Sequence, residues 1–460
     1  MGVGDSASLS LIVQLIYLQY SILDTFRHNL YHGCLTQAAD ALFDLADALA
    51  CDTNARSFVE LSLAGSFQRS WSSLYAALDD GRIDRAALGR LFAQMLPRRL
   101  VGQRLVLGLD TSSIARPDAH TSSERTLVYQ ANLPSSSTPV VPGWLFSTLV
   151  VLPDPVSSWT YILDNRRVES NQSARSTAVT QLCELLPRVK WCCDCPLLVL
   201  DRGYANAPWL VASAELATDQ LMRARSNQVL YRPPPPPTGK PGRPRKDGAR
   251  FKGSDASTHG QPDGEWSGRD ESGKAVEVRV WHNLHLRQER EMVVSVIQVK
   301  RPRAADSKRD PKVSWFWYRG KQMPELSEIA GMYRRRFGQE HGYRFDKQDL
   351  LWATPRLRTP EQMQRWTDVV AIVHNELVLA SREAEAIRRA WERRERAVTP
   401  RQVRRVMGKI IAQLGTPARA PKVRGKSPGR AKGSVGKRAP RCEVIRKSPR
   451  KAKAAHIRRC

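Results

Sequence analysis

Gln103–Asp110 reads QRLVLGLD, and Pro196–Asp201 reads PLLVLD. Each is a short apolar run that ends on an acid. Runs of this length and β-rich character suggest buried strands. Two further strand signals, Trp144–Leu152 (WLFSTLVVL) and Trp159–Leu163 (WTYIL), lie between them. Gln172–Pro187 (QSARSTAVTQLCELLP) follows with helical texture, and Ala207–Leu221 reads as a helix after the second acid. The order is strand, strand, strand, helix, strand, helix. The first three strands suit an antiparallel meander. The fourth returns through a helix, and a crossover of that length favours parallel pairing. If the strand ending at Asp110 lies beside the strand ending at Asp201, their ends coincide. The open strand ends are where α/β folds place their sites.

A third acid is set apart by its surroundings. Tyr333–Lys347 reads YRRRFGQEHGYRFDK, with Tyr333, Arg336, Glu340 and Lys347 at offsets of 3, 7 and 14 residues. On one helix turning ~100° per residue, all four fall within roughly 60° of one another. Such a face suits a divalent metal at Glu340 and phosphates at Arg336 and Lys347, and the plain alternative is a solvated charged helix. Gly338 and Gly342 interrupt the stretch, each costing a helix up to ~1 kcal/mol. A close neighbour, either DNA or another element, would account for them.

At 460 residues the chain predicts two or more domains. Its formal charge of +28, from 73 Lys+Arg against 45 Asp+Glu, favours a polyanionic partner. No apolar run approaches the roughly 20 residues of a membrane-spanning helix. Leu9–Tyr17 is short, contains a Gln and lacks a signal peptide's basic flank, so it reads as a buried helix. The start MGVGDS fits a myristoylation pattern that is common by chance. Eight cysteines do not make a disulfide scaffold. The CCDC cluster at Cys192, Cys193 and Cys195 lacks the paired spacing of a zinc site, even with His282 and His285 considered as partners. Reduced thiols and a cytoplasmic location are expected.

Residues 1–98 read as a separate small helical domain, structural or DNA-binding, from LSLIVQLIYLQYSIL, LTQAADALFDLADALA and ARSFVELSLAGSFQRSWSSLYAAL. Residues 99–222 and 325–386 read as the two parts of an α/β core. Between them, residues 223–324 read as a β-rich insertion with strands at Ala275–Trp281, Glu291–Val299 and Val313–Tyr318. The insertion opens on a stiff polyproline run after Tyr231 and the basic loop GKPGRPRK at Gly239–Lys246. The Gly-Arg-Pro in that loop resembles a minor-groove hook, and a flexible basic loop is the plainer reading. Thr359 offers an N-cap for a helix with an apolar face from Met363 to Leu377. Residues 387–460 read as charged helices and a tail. Pro417–Cys460 holds 16 Lys+Arg against one acid, Glu443, and is expected to be disordered and to act on phosphates.

Three placed carboxylates suit two divalent ions about 3.5–4 Å apart. Mg²⁺ takes few protein ligands, keeps waters and completes its shell with substrate phosphate. One ion would activate a water or a DNA 3′-hydroxyl, and the other would stabilise the leaving oxygen. Acids at strand ends also arise as helix caps or turn formers. DTSSIARP at Asp110, DRGYANAP at Asp201 and the Y-x2-R-x3-E-x6-K spacing from Tyr333 to Lys347 together resemble the DDE transposases of bacterial insertion sequences. More narrowly, they resemble the group with the Y-R-E-K signature, over about residues 100–385.

The resemblance implies an RNase H-like catalytic core interrupted by a β-rich insertion, and Mg²⁺-dependent DNA cleavage and strand transfer, with Mn²⁺ as a substitute. It makes Asp110, Asp201 and Glu340 the metal ligands, and Tyr333, Arg336 and Lys347 contacts to the transposon end. Members that cut through a DNA hairpin hold a flipped base on an aromatic of the insertion, which here would be Trp315 or Trp317, with core packing as the alternative. The implied partners are double-stranded DNA, as terminal inverted repeats and target, and further copies of the chain in a homodimer or higher oligomer. The implied location is the bacterial cytoplasm, on the nucleoid. A non-catalytic DNA-binding descendant and a generic RNase H-like nuclease are the alternatives. Three intact acids weigh against the first, and the Y-R-E-K match against the second.

Overall fold

The computed structural model describes residues 22–97, 103–130, 139–153, 159–236, 244–270, 273–301, 312–392, 395–422, 429, 431–436 and 438–447. Leu9–Tyr17 and most of the Gly239–Lys246 loop lie outside these. The chain begins with α1 (residues 22–29), β1 (Leu35–Gln37), α2 (Ala39–Cys51), α3 (Ser72–Asp80), β2 (Arg82–Ile83) and α4 (Arg85–Gln94). Asp84 caps α4 by accepting from the Ala86 and Ala87 N–H groups. The stretch from Ala55, with its helical spacing, is a 3₁₀ turn at Val59–Leu63 followed by α3. Gly65 lies between them, and the hydroxyls of Ser70, Ser72 and Ser73 bond one another, which competes with a continuous helix.

Next come β3 (Val106–Ala115), β4 (Thr126–Tyr129), β5 (Val140–Val151), β6 (Tyr161–Arg167), α5 (Ala174–Val189), β7 (Leu197–Leu200), α6 (Ala207–Ala212) and β8 (Asp219–Ala224). β3 pairs antiparallel with β5, β5 antiparallel with β6, and β7 lies parallel to β3 and to β8. The core order is thus β6-β5-β3-β7-β8, a meander followed by crossovers, as read from the sequence. Two details differ. Asp110 is the fifth residue of a ten-residue strand, because Thr111 to Ala115 go on pairing with β5 down to Gly143. Ala207–Leu221 is a six-residue helix and a strand. The helical spacing there yields to tertiary pairing: β8 lies between two strands, and the Asp219 carboxylate accepts from Tyr318 Oη (2.7 Å) and from the N–H groups of Lys321 and Gln322 (2.9 Å each).

The sheet then grows outward through β9 (Val229–Tyr231), β10 (Arg250–Lys252), β11 (Gly264–Arg269), β12 (Ala275–Leu286), β13 (Glu289–Lys300) and β14 (Val313–Arg319). β14 pairs with β8, so residues 223–324 extend the core sheet to twelve strands among the described residues. The last elements are α7 (Leu326–Arg335), α8 (Phe337–Gln348), α9 (Pro360–Leu379), α10 (Ser381–Ala386) and α11 (Pro400–Leu414). Thr359 and Gln362 form a capping box at the start of α9, with Pro360 at its first position.

The N-terminal helices pack against the sheet and α9. Their core residues join those of the sheet and α9 in one cluster. Arg27 on α1, 2% exposed, bonds Asp47 on α2 (2.7 Å) and Glu376 on α9. A buried charge is tolerated only when paired, so this triad fixes α1 and α2 on the core. A described segment of the tail pairs with the body. Cys442 N–H donates to His120 O (2.7 Å), Ile445 N–H donates to Arg125 O (2.8 Å), and Ile445 bridges Thr126 in parallel. Residues 438–447 therefore lie along the edge at β4, where backbone groups of the edge gain partners despite the tail's charge. Cys192, Cys193 and Cys195 are free thiols. No helix among the described residues is long and apolar enough to cross a membrane.

Candidate active site

Asp110 and Asp201 are set side by side by strand register. Leu109 on β3 is opposite Leu200 on β7, and one residue further on each strand stands an acid. Neighbouring strands are ~4.8 Å apart, so the two backbones are adjacent. Each carboxylate is aimed by the backbone. Thr111 N–H donates to Asp110 Oδ1 (2.8 Å), and Gly203 N–H donates to Asp201 Oδ1 (2.9 Å). The second contact explains Gly203, since a Cβ there would stand 3.0 Å from Asp201 Oδ1. Tyr204, next in the chain, is buried edge-on against Trp209 with centroids 4.9 Å apart.

Glu340 arrives on α8. Gln339, its neighbour, donates from Nε2 to Thr148 O (3.0 Å), and Thr148 is the β5 partner of Asp110. Gly108 leaves room for that contact, because a Cβ there would lie 2.8 Å from Gln339 Oε1. The two helix glycines have the same kind of cause. A Cβ on Gly338 would meet Pro153 Cγ at 2.6 Å, and one on Gly342 would meet Thr160 Oγ1 at 2.9 Å. The close neighbour is a protein element. His374 on α9 holds the far side of α8, with Nδ1 2.7 Å from Asp346 Oδ1 and Nε2 3.0 Å from Thr160 O. Burial alone would lower the His374 pKa; the Asp346 carboxylate outweighs it and raises the pKa above its ordinary value.

The Y-R-E-K residues do not share one helix. A tight turn at Arg336 separates α7 from α8, with Arg336 N–H bonded to Tyr333 O (3.1 Å) and Gln339 N–H to Arg336 O (3.0 Å). Arg336 and Glu340 meet, and the outer two residues diverge. Tyr333 packs on Phe316 (4.8 Å between centroids) and under the Arg223 guanidinium (5.5 Å). Lys347 Nζ donates to Ser113 O (2.9 Å), three residues beyond Asp110 on β3, and lies 5.8 Å from the Trp352 ring. Trp317 is 1% exposed, and Trp315 is buried among Phe251, His259 and Trp281. Both rings pack within the core.

Arg336 organises the charge. Its Nη2 donates to Asp110 Oδ2 (2.6 Å) and its Nη1 to Glu340 Oε1 (3.2 Å). Burial opposes the guanidinium's charge, and nearby groups including the carboxylates of Asp110, Asp201 and Glu340 outweigh it, so its pKa stays above the ordinary value. Burial pushes the Asp110 carboxyl up to about 6, against the lowering pull of Arg336 and of the Thr111 N–H; Asp201 and Glu340 push it the same way as burial. More than half of the Glu340 side chain faces solvent. The donors are all hard carboxylate oxygens, which suit Mg²⁺ or Mn²⁺. Among the described residues no group of three or more His, Cys, Asp or Glu is close enough to share one ion. The guanidinium already supplies the positive charge between Asp110 and Glu340. The carboxylate donors fit a hard cation in kind, and Arg336 carries the positive charge bonded to Asp110 and Glu340.

Sequence reading missed Thr111, Gln339 and Arg223, whose placement depends on strand register. Gly203 stands in the DRGYANAP motif, where its D-x-G spacing was a sign of the backbone contact. A family model described as DDE superfamily endonuclease matches residues 30–285, more than half of the chain, and no curated protein matches. The matched span includes Asp110 and Asp201 and ends before α8. With two of the three acids aligned in register inside that span, the chain belongs to the DDE superfamily of endonucleases.

Proposed function

We propose that this endonuclease is a transposase, with an RNase H-like core, that cleaves DNA at transposon ends and transfers the freed strand into a target. The observation that carries the reading is that strand register sets Asp201 beside Asp110 while one guanidinium, Arg336, bonds both Asp110 and Glu340. In this reading the three acids hold divalent metal, two Mg²⁺ ions or Mn²⁺ in their place. Such ions, when bound, activate a water or 3′-hydroxyl and stabilise the leaving oxygen. The protein's own groups do the placing. Thr111 and Gly203 each fix one oxygen of an Asp, and the second Asp110 oxygen accepts from Arg336 Nη2. Gln339, Gly338 and Gly342 seat α8 so that Glu340 faces the acids from the solvent side. Arg336 offers a planar fork suited to a phosphate. Lys347 and Tyr333 border the site and support it by packing as well as by charge. With both rings buried, the reading gives Trp315 and Trp317 no base-stacking role.

The partners in this reading are duplex DNA and further copies of the chain on paired ends, in the bacterial cytoplasm on the nucleoid. The basic tail adds sequence-independent affinity for phosphates. The test is incubation of the full chain with DNA carrying the element's terminal inverted repeats, with and without Mg²⁺. The expected result is Mg²⁺-dependent cleavage at the repeat ends and joining to target. Salt-sensitive binding without cleavage would point instead to a non-catalytic DNA-binding protein, and cleavage indifferent to the repeats to a generic nuclease.

A further inference from the structure

The Arg336 contacts leave the metal-binding oxygens engaged by the protein itself. Asp110 has one oxygen on the Thr111 N–H and the other on Arg336 Nη2, and Glu340 Oε1 takes Nη1 of the same side chain. The guanidinium is 9% exposed as a residue and its Nε has no hydrogen-bond partner. With both Nη atoms bonded and Nε unpartnered, this seat satisfies the fork only in part. Phosphate offers Arg a bidentate alternative with more acceptor oxygens.

We propose that Arg336 is a positioning residue that closes the acid cluster in the DNA-free protein and opens it when a DNA phosphate draws its guanidinium away. This rests on the assignment of Asp110, Asp201 and Glu340 as metal ligands, and adds an order of events. A cation and Arg336 compete for the same carboxylate oxygens, so metal binds weakly to the free protein. DNA removes the competitor, so metal binding tightens. Linkage makes the effect reciprocal: metal tightens DNA binding through the same residue. The cluster then takes up metal chiefly where substrate is already in place.

The experiment is calorimetric titration of Mn²⁺ into the full-length, DNA-free protein at pH 8, for wild type, Arg336→Gln and Arg336→Met. Both variants remove the competing charge and are expected to bind Mn²⁺ at least tenfold tighter than wild type. Arg336→Lys keeps a cation and is expected to stay within about threefold of wild type. The melting temperature gives a second readout for a variant that folds less stably, because a ligand that binds the native state raises it. Added Mn²⁺ should raise that of Arg336→Gln more than that of wild type. A terminal-repeat duplex should tighten Mn²⁺ binding strongly in wild type and much less in Arg336→Gln. Equal or weaker Mn²⁺ binding by both variants, with no larger thermal shift, overturns the proposal. Asp110→Asn in the Arg336→Gln background separates this from the underlying assignment: if the double variant binds Mn²⁺ as tightly as Arg336→Gln, the metal site itself is misplaced.

Discussion

At Gly338 a helix carries the residue that suits helices least after proline. In an exposed helix, Gly→Ala gains about 1 kcal/mol. Here the added methyl would stand 2.6 Å from Pro153 Cγ and 2.8 Å from its Cδ. A proline ring cannot rotate aside, so overpacking of about 1–3 kcal/mol outweighs the propensity gain. Gly338→Ala is therefore expected to destabilise the protein by about 1–2 kcal/mol in urea unfolding, and a gain in stability would show that α8 does not lie against Pro153. Gly342→Ala meets a rotatable hydroxyl, Thr160 Oγ1, and should cost less. At this scale the sequence was legible where chemistry is local. Asp110 and Asp201 end or interrupt apolar runs, and Gly203 follows its acid at a fixed spacing. Arg336 was recognisable as a cation near Glu340, but its bond to Asp110 spans 226 residues and depends on the fold.

The position of α8 depends on groups behind it as much as on Glu340 itself. His374 and Asp346 are buried, and both imidazole nitrogens are engaged. The His374 pKa is raised in the folded state. Its charged form therefore stabilises the fold fully below the unfolded value near 6.5, and that contribution is lost as pH rises through the folded value. His374→Gln should cost about 3 kcal/mol at pH 6, the usual range for breaking a buried pair. The gap from wild type should narrow at pH 9, as followed by urea denaturation at both pH values. A gap that widens with pH would mean His374 is neutral in the native state. Elements with one dominant signal were readable: β5, β7 and α5 follow from apolar runs and helical spacing. β8 was not, because ASAELATDQL carries helical spacing and only its two neighbouring strands make it extended. The turn between α7 and α8 was likewise hidden, since Tyr333–Lys347 keeps helical spacing across it.

The whole molecule joins what the sequence separates. Residues 1–98 read as an independent helical unit because their apolar spacing is self-contained. The coupling lies in Arg27, Asp47 and Glu376, scattered polar residues that no periodicity reveals. Removing one member leaves a buried charge without its partner, so Glu376→Gln should lose about 3–5 kcal/mol. Because the core is continuous, calorimetry should show one shared loss across the chain; a separate early transition for the N-terminal helices would contradict that continuity. The strand order and the pairing of the two Asp strands were legible. The extension of the sheet through β14 and the docking of the tail beside Thr126 were not, since both are long-range edge pairings. All of this structure serves one claim, that Asp110, Asp201 and Glu340 form the catalytic centre. The direct measurement is Mg²⁺-dependent cleavage of terminal-repeat DNA by wild type, Asp201→Asn and Glu340→Ala, with DNA binding measured in parallel. Binding retained within a few-fold and cleavage reduced at least a hundredfold in each variant is the predicted result. Cleavage unchanged in either variant would contradict the account.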